Sequence, residues 1–421
     1  MNHLFQSHQA GQLNLRHRIV MAPMTRIRAT DCELAVTDLT MQHYSQRATK
    51  GGLIITKAIH ISPEATPTWN IYPAVKKFGG HVPGLWTEKQ ASSWRQVTKA
   101  VHEKGGLISC QLLHAGRVAQ PEIASHPLLQ NDDKIWPLPP VSSSVLRIPG
   151  KKEVGNNYNW DQPSTTPRQL ETGEIGRLLE DYQNAARRAL KADFDCIELH
   201  AAHGFLVDQF LCDGVNQRSD KYGGSIENRC RLLFEIVDAL VKVVGPGRVG
   251  VRLSPTSAKR GSQTYFGVHD TNPEVLYENA VRGLNSYPLA YLLLTEPRCG
   301  SLALPATEDC GFNKPVSNSR FREIFKGTLI GAGGFTLETA RLSVQNGTYD
   351  LIAFGRWFIS NPDLVARLAS GSDLNIYERK TFYGGNAEGY VDYPDLENTI
   401  QNAVVYELIA QKNIGKSLCK G

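Results

Sequence analysis

This 421-residue chain has no Cys-x-x-Cys pair, no run of five basic residues and no apolar stretch near the roughly 20 residues of a membrane span. Each absence excludes something. The eight cysteines (Cys32, Cys110, Cys196, Cys212, Cys230, Cys299, Cys310, Cys419) are dispersed, and several lie in apolar segments, which favours reduced, mostly buried thiols over a disulfide framework. A formal charge of +5 spread over this length argues against a nucleic-acid partner. The N-terminus lacks the apolar core of a signal peptide, and the C-terminal Cys-Lys-Gly is not a peroxisomal tripeptide, so a soluble cytoplasmic protein with no membrane partner is expected.

What is present is an alternation of strand-length apolar runs with segments of helical period. The runs are Arg18–Met24, Leu53–Ala58, Leu107–Leu113, Cys196–His200, Val249–Ser254, Tyr291–Thr295, Thr328–Gly331 and Leu351–Phe354. Between them lie helical stretches. Asp38 to Thr49 has Asp38 as a candidate N-cap; Thr87 and Ser225 open two more, and Glu174 to Ala192 is amphipathic. Pro273 to Asn285, Ser319 to Phe325, Thr336 to Asn346 and Ser360 to about Ala369 complete the series. Residues 120–170 dissolve into Pro, Ser, Gly and Asn, and read as an irregular lid inserted into one domain spanning 1–421. Eight runs each followed by a helix predict a (β/α)8 TIM barrel; a doubly wound sheet also alternates but usually has fewer strands.

A barrel carries its chemistry at the C-terminal ends of its strands. The polar residues expected there are Thr25 and Arg26, Lys57, Gln111 and His114, His200 and His203, Arg252, Glu296 and Arg298, with Gly333, Gly334, Gly355 and Arg356 after the last two strands. His200 and His203 can converge on one carbonyl or anionic oxygen; equally, one could be structural and the other incidental. A metal site is disfavoured, because no further ligands follow at close spacing. Gly331-Ala-Gly-Gly334 and Gly355-Arg356 match a phosphate cradle, or else glycines needed for strand–helix turns. Gly245-x-Gly-x-x-Gly250 has the spacing of a dinucleotide fingerprint but ends a helix and precedes a strand, the reverse of the required order.

Several stretches resemble the Old Yellow Enzyme family. They are Met21-Ala-Pro-Met-Thr-Arg26, His200-Ala-Ala-His-Gly-Phe-Leu206, Arg218-Ser-Asp-Lys-Tyr-Gly-Gly-Ser-Ile-Glu-Asn-Arg229, Val251-Arg-Leu-Ser-Pro255 and Phe354-Gly-Arg-Trp-Phe-Ile-Ser-Asn-Pro-Asp363. That family comprises FMN-dependent ene-reductases, and the 12-oxophytodienoate reductase-like branch also carries His-x-x-His. The resemblance implies FMN and a nicotinamide reductant (NADPH or NADH), an enone or quinone substrate, and a monomer or homodimer. Ala22, Pro23, Met24 and Thr25 would lie along the flavin, with Thr25 tuning its potential. Ala58 would contact the ring, Gln111 its pyrimidine edge, and Arg252 would hold positive charge near N1. Gly333, Gly334, Gly355 and Arg356 would take the phosphate. His200 and His203 would bind the substrate carbonyl, so that its β-carbon accepts hydride from flavin N5. Leu113 stands where many relatives have tryptophan, and Tyr383 would border the substrate cavity.

One departure bears on the chemistry. The family usually has tyrosine two residues after the second carbonyl-binding residue, as the acid that protonates the α-carbon; here Phe205 stands there. A positioned general acid is typically worth about 10²–10⁴-fold, and a phenyl ring cannot supply it. Water, Tyr383, Tyr72 or Tyr158 could replace it, or the substrate could be a quinone or nitro compound that needs less help. Alternatively, hydride returns to the substrate in a redox-neutral double-bond isomerisation, as in relatives with phenylalanine here in specialised alkaloid metabolism.

Overall fold

The structure, a computed structural model, describes residues 3–30, 33–66, 81–119, 139–150, 164–255, 265–296 and 317–397. At its centre lie eight parallel strands: β1 (Ile19–Met21), β2 (Leu53–Ile55), β3 (Leu107–Leu113), β4 (Cys196–His200), β5 (Val249–Leu253), β6 (Tyr291–Thr295), β7 (Leu329–Ala332) and β8 (Leu351–Phe354). Each pairs with the next, and β8 pairs with β1 through Ala353 beside Val20. The sheet therefore closes, and the doubly wound alternative, which needs two open edges, falls. Around it run α1 (Asp38–Arg47), α2 (Glu88–Glu103), α3 (Ile175–Lys191), α4 (Ile226–Val244), α5 (Pro273–Leu284), α6 (Phe321–Ile324), α7 (Leu337–Gln345) and α8 (Leu364–Ser370).

Side chains alternate between the two faces of a strand. Ile19, Ile54, Ile197, Leu199, Val251 and Leu292 point outward into a core shared with the helices. Their neighbours Val20, Leu53, Cys196, Tyr291, Leu293 and Ile330 point inward and pack on one another. An N-terminal hairpin, His8–Ala10 with Leu13–Leu15, contributes Ala10, Leu13 and Leu15 to this inner cluster and so stoppers the barrel at the strands' N-terminal end.

Local chemistry explains most boundaries. Thr87 caps α2 in a reciprocal capping box with Gln90, and Ser225 caps α4 through the Asn228 N–H. Elsewhere the sequence reading needs correction. Thr37, not Asp38, caps α1, its hydroxyl accepting from the Thr40 N–H; Asp38 is the first helical residue, where its charge suits the positive end of the helix. The helix expected from Ser360 begins only at Leu364, as α8, and a separate short helix, Arg356–Ser360, precedes it. Asn361 between them is extended (φ −127, ψ 91), the backbone favoured before a proline such as Pro362. The irregular stretch 120–170 contains a short parallel ladder, Val141–Ser142 beside Arg168–Gln169, too brief to leave a period. Residues 120–138 and 151–163 of that stretch, and with them Tyr158, lie outside the described residues, as do Tyr72 and Arg298.

The glycine pattern discounted as a nucleotide fingerprint has structural work. Gly245 ends α4 at φ 87, and Gly247 (φ 72) donates its N–H to Pro288 O. A Cβ on Gly250 would sit 2.3 Å from Tyr291 Cζ. Gly250→Ala therefore has to displace a buried ring in the barrel interior. It is expected to lower unfolding stability by about 1–3 kcal/mol in denaturant titrations, and an unchanged midpoint would show that the ring yields freely.

Candidate active site

The inward column changes character along the strands. In step with Cys196 on β4 stand Glu198 and His200; in step with Gly250 on β5 stands Arg252; in step with Tyr291 on β6 stand Leu293 and Thr295. Register sets these against one another: Arg252 lies beside His200, and Gln111 beside Glu198. Apolar filling below thus gives way to polar groups at the C-terminal end, where Gln111, Glu198, His200 and Thr295 are buried and Arg252 is half-buried.

Burial fixes their protonation. His200 and His203 are both held well below the usual imidazole range, first by desolvation and then by the charge of Arg252. Both rings are therefore neutral near pH 7 and act as hydrogen-bond partners rather than as acids. They stand edge to face with centroids 5.3 Å apart. His200 Nδ1 accepts from the Ala202 N–H at 3.3 Å. His203 Nε2 lies 3.1 Å from Thr295 Oγ1, which also accepts from Arg252 Nε and Nη2 at 3.3 Å. Below them Gln111 Nε2 donates to Glu198 Oε1 at 2.6 Å, and the Tyr291 hydroxyl lies 3.0 Å from Ser109 Oγ. Glu198 is raised to about 6, because burial outweighs the pull of Arg252 and the Gln111 hydrogen bond.

The turn after β4 is shaped to present His203. That residue has φ 56, a left-handed conformation uncommon outside glycine. Its N–H donates to Ser254 Oγ at 2.8 Å, and the next N–H, of Gly204, donates to Asp208 Oδ2 at 2.8 Å. Gly204 itself (φ 77) admits no side chain, since a Cβ would lie 2.4 Å from Tyr265 O. The Tyr265 ring stacks obliquely on His203 at 4.6 Å.

Above the histidines is an apolar cluster of Ala58, Leu113, Val118, Ile148 and Phe205, with Phe266 and Tyr383 packed against it. The Phe205 ring meets His200 edge to face at 5.1 Å. Leu113 and Tyr383 thus border the same space as Phe205. On the other flank, β7 and β8 are neighbours, which brings Gly333–Gly334 beside Gly355–Arg356. Gly333 and Gly334 have φ 103 and 65, and a Cβ on Gly355 would meet only Met24, at 3.5 Å. This glycine-lined space, half-buried Arg356, Arg252 at the barrel mouth and half-buried Pro23, Met24 and Thr25 beside buried Ala22 fit a phosphorylated ring such as FMN.

Not every polar strand end joins this site. Arg26 donates to Phe382 O and Gly389 O, at 2.8 and 2.7 Å. Lys57 Nζ donates to Thr40 Oγ1 and the Tyr390 hydroxyl, at 3.2 and 3.3 Å. His114 pairs with Glu64 at 3.8 Å, and Glu296 accepts from the Tyr349 hydroxyl. Sequence reading passed over Glu198, Ser254, Tyr265 and Thr295. Ser254 and Thr295 were reachable by applying the strand-end rule to hydroxyls as well as to charges; Tyr265 is brought in by a loop and carries no local signal.

Comparison with known proteins agrees with this geometry. A profile of the NADH:flavin oxidoreductase / NADH oxidase family matches residues 3–375. The chain belongs to that family. It is 39% identical over 398 residues to 12-oxophytodienoate reductase 2 of Arabidopsis thaliana, covering 94% of this chain and 96% of that protein. Among solved structures, morphinone reductase superposes with a TM-score of 0.77 at 39% identity, covering 94% of this chain and 97% of the other. The Old Yellow Enzyme homologue of Zymomonas mobilis gives 0.78 at 34% identity, covering 93% and 99%. The protein is an FMN-dependent oxidoreductase of the Old Yellow Enzyme type.

The raised carboxyl of Glu198 makes a pH prediction. It is protonated more readily folded than unfolded, so losing the proton penalises the folded state, and stability should fall as pH rises from 4.5 to about 6. Glu198→Gln should remove about 2 kcal/mol of that decline. Denaturant unfolding of both proteins at pH 4.5 and 7 checks this; identical slopes would show that Glu198 does not titrate in the window.

Proposed function

We propose that this enzyme reduces the C=C bond of an α,β-unsaturated carbonyl compound, with His200 and His203 holding the carbonyl oxygen. The observation that carries the reading is the pair of neutral imidazoles facing each other beside Arg252, beneath an apolar space. Two N–H donors on one oxygen draw electron density from the conjugated system and leave the β-carbon electrophilic. Ala22, Pro23, Met24, Thr25, Ala58, Gln111, His200, Arg252, Gly333, Gly334, Gly355 and Arg356 would hold FMN, which when bound would supply hydride drawn from NADPH or NADH. A morphinone reductase structure in complex with tetrahydroNAD, 39% identical over 94% of this chain, supports the nicotinamide. Leu113, Phe205, Phe266 and Tyr383 would bound the substrate and keep water from it.

Residues 1–421 are read as one catalytic unit; within the described part of the irregular stretch, Ile148 in the Phe205 cluster and Leu146 O accepting from Arg117 at 3.0 Å support that. The buried free thiols Cys110, Cys196, Cys212 and Cys230 support a reducing, cytoplasmic setting. No described helix is long and apolar enough to cross a membrane. Anaerobic titration of the yellow protein tests the main reading. NADPH or NADH should bleach the flavin and an enone should restore it, yielding the saturated ketone; a flavin left oxidised by both nicotinamides would refute it.

Phe205 favours a second reading, double-bond isomerisation. Neither neutral histidine is an acid, and the ring beside His200 holds no proton to give. Isomer formed in deuterated buffer without net nicotinamide consumption would select it. On the reductase reading, Phe205→Tyr should raise turnover, by up to about 10²-fold if α-carbon protonation limits the rate. An unchanged kcat would show that protonation is not limiting.

A further inference from the structure

Thr295 has no role in either reading above, yet its side chain is bonded both to a carbonyl-holding histidine and to Arg252. The geometry points to Thr295 as the residue that decides which nitrogen of His203 carries the proton; the inference rests on the carbonyl-holding reading of that pair. A hydroxyl has one proton and two lone pairs. Arg252 can only donate, and both Nε and Nη2 lie 3.3 Å from Thr295 Oγ1, so the oxygen accepts there. Its own proton is left for the partner on the other side, His203 Nε2 at 3.1 Å. That nitrogen is then an acceptor, and a neutral ring with an accepting Nε2 carries its proton on Nδ1.

His200 is set the opposite way. Its Nδ1 accepts from the Ala202 N–H, so its proton is on Nε2. Two rings 5.3 Å apart thus offer Nε2–H from one and Nδ1–H from the other, and each is locked by a bond on its far nitrogen. Thr295 is only 1% exposed and ends β6, so its hydroxyl is shielded from water and fixed by the strand. It is a positioning residue: it acts on the substrate through His203. Its effect on Arg252 is the converse, holding the guanidinium at the barrel mouth by accepting from two of its nitrogens.

The test is the proton position itself. In FMN-loaded enzyme with ¹⁵N-labelled histidine, two-bond ¹H–¹⁵N correlations should show His203 as the Nδ1–H form and His200 as the Nε2–H form. Thr295→Val, which keeps the shape and loses the hydroxyl, should abolish the pure Nδ1–H pattern. It should also weaken binding of cyclohexanone, a saturated ketone read by the flavin absorbance shift, by roughly three- to tenfold, the worth of one hydrogen bond. Thr295→Ser should restore both. A wild-type His203 protonated on Nε2 overturns the assignment whatever the variants do, as does Thr295→Val that binds cyclohexanone like wild type. Failure of the wild-type enzyme to bind any ketone or enone would instead overturn the carbonyl-holding reading, and this role with it.

Discussion

The inward face of a closed parallel barrel admits almost no water, and every polar group placed there must find a partner or give up its charge. That constraint governs the top of this barrel. Arg252 keeps its charge because a guanidinium is hard to deprotonate, and its field, added to desolvation, denies a proton to both neighbouring imidazoles. The result is a site with strong donors and a fixed positive charge but no histidine acid. Such a site suits polarising a carbonyl and holding an electron-rich ring, and it suits protonating carbon poorly.

Rigidity comes from a second layer of bonds rather than from the histidines. Ser254 and Asp208 together hold two successive N–H groups of a turn whose backbone, at His203, lies in the left-handed region. A left-handed histidine costs on the order of 1–3 kcal/mol, and such strain persists only where the surroundings over-determine it. Here they do: Gly204 leaves room for the Tyr265 carbonyl, Asp208 accepts in addition from the Tyr277 hydroxyl at 2.9 Å, and Thr295 holds the ring. The same logic operates one layer down, where Glu198 fixes the amide of Gln111.

Phe205 gives the pocket its chemical bias. Clustered with Leu113, Ala58 and Ile148, it extends an apolar wall to the His200 ring, so polar groups sit on one side of the pocket and hydrocarbon on the other. Phe205 has no proton to give, and the hydroxyl-bearing ring packed against this cluster is that of Tyr383.

Strand number, strand order and most helix starts follow from the chain alone, because apolar period, capping residues such as Thr87 and Ser225, and glycine stops are local signals. That His200 and His203 follow one strand, that glycines follow β7 and β8, and that the Gly245–Gly250 spacing joins a helix to a strand were legible for the same reason: each depends on which element a motif follows. Other features depend on neighbours distant in sequence. Whether a polar strand-end residue faces the mouth or turns away, as Lys57 does toward Thr40 and Tyr390, is decided by pleat and register. Thr295 meets His203 across 92 residues, and Tyr265 reaches it from another loop. Closure of the barrel creates those meetings, and only closure removes the water that would otherwise have satisfied each group separately.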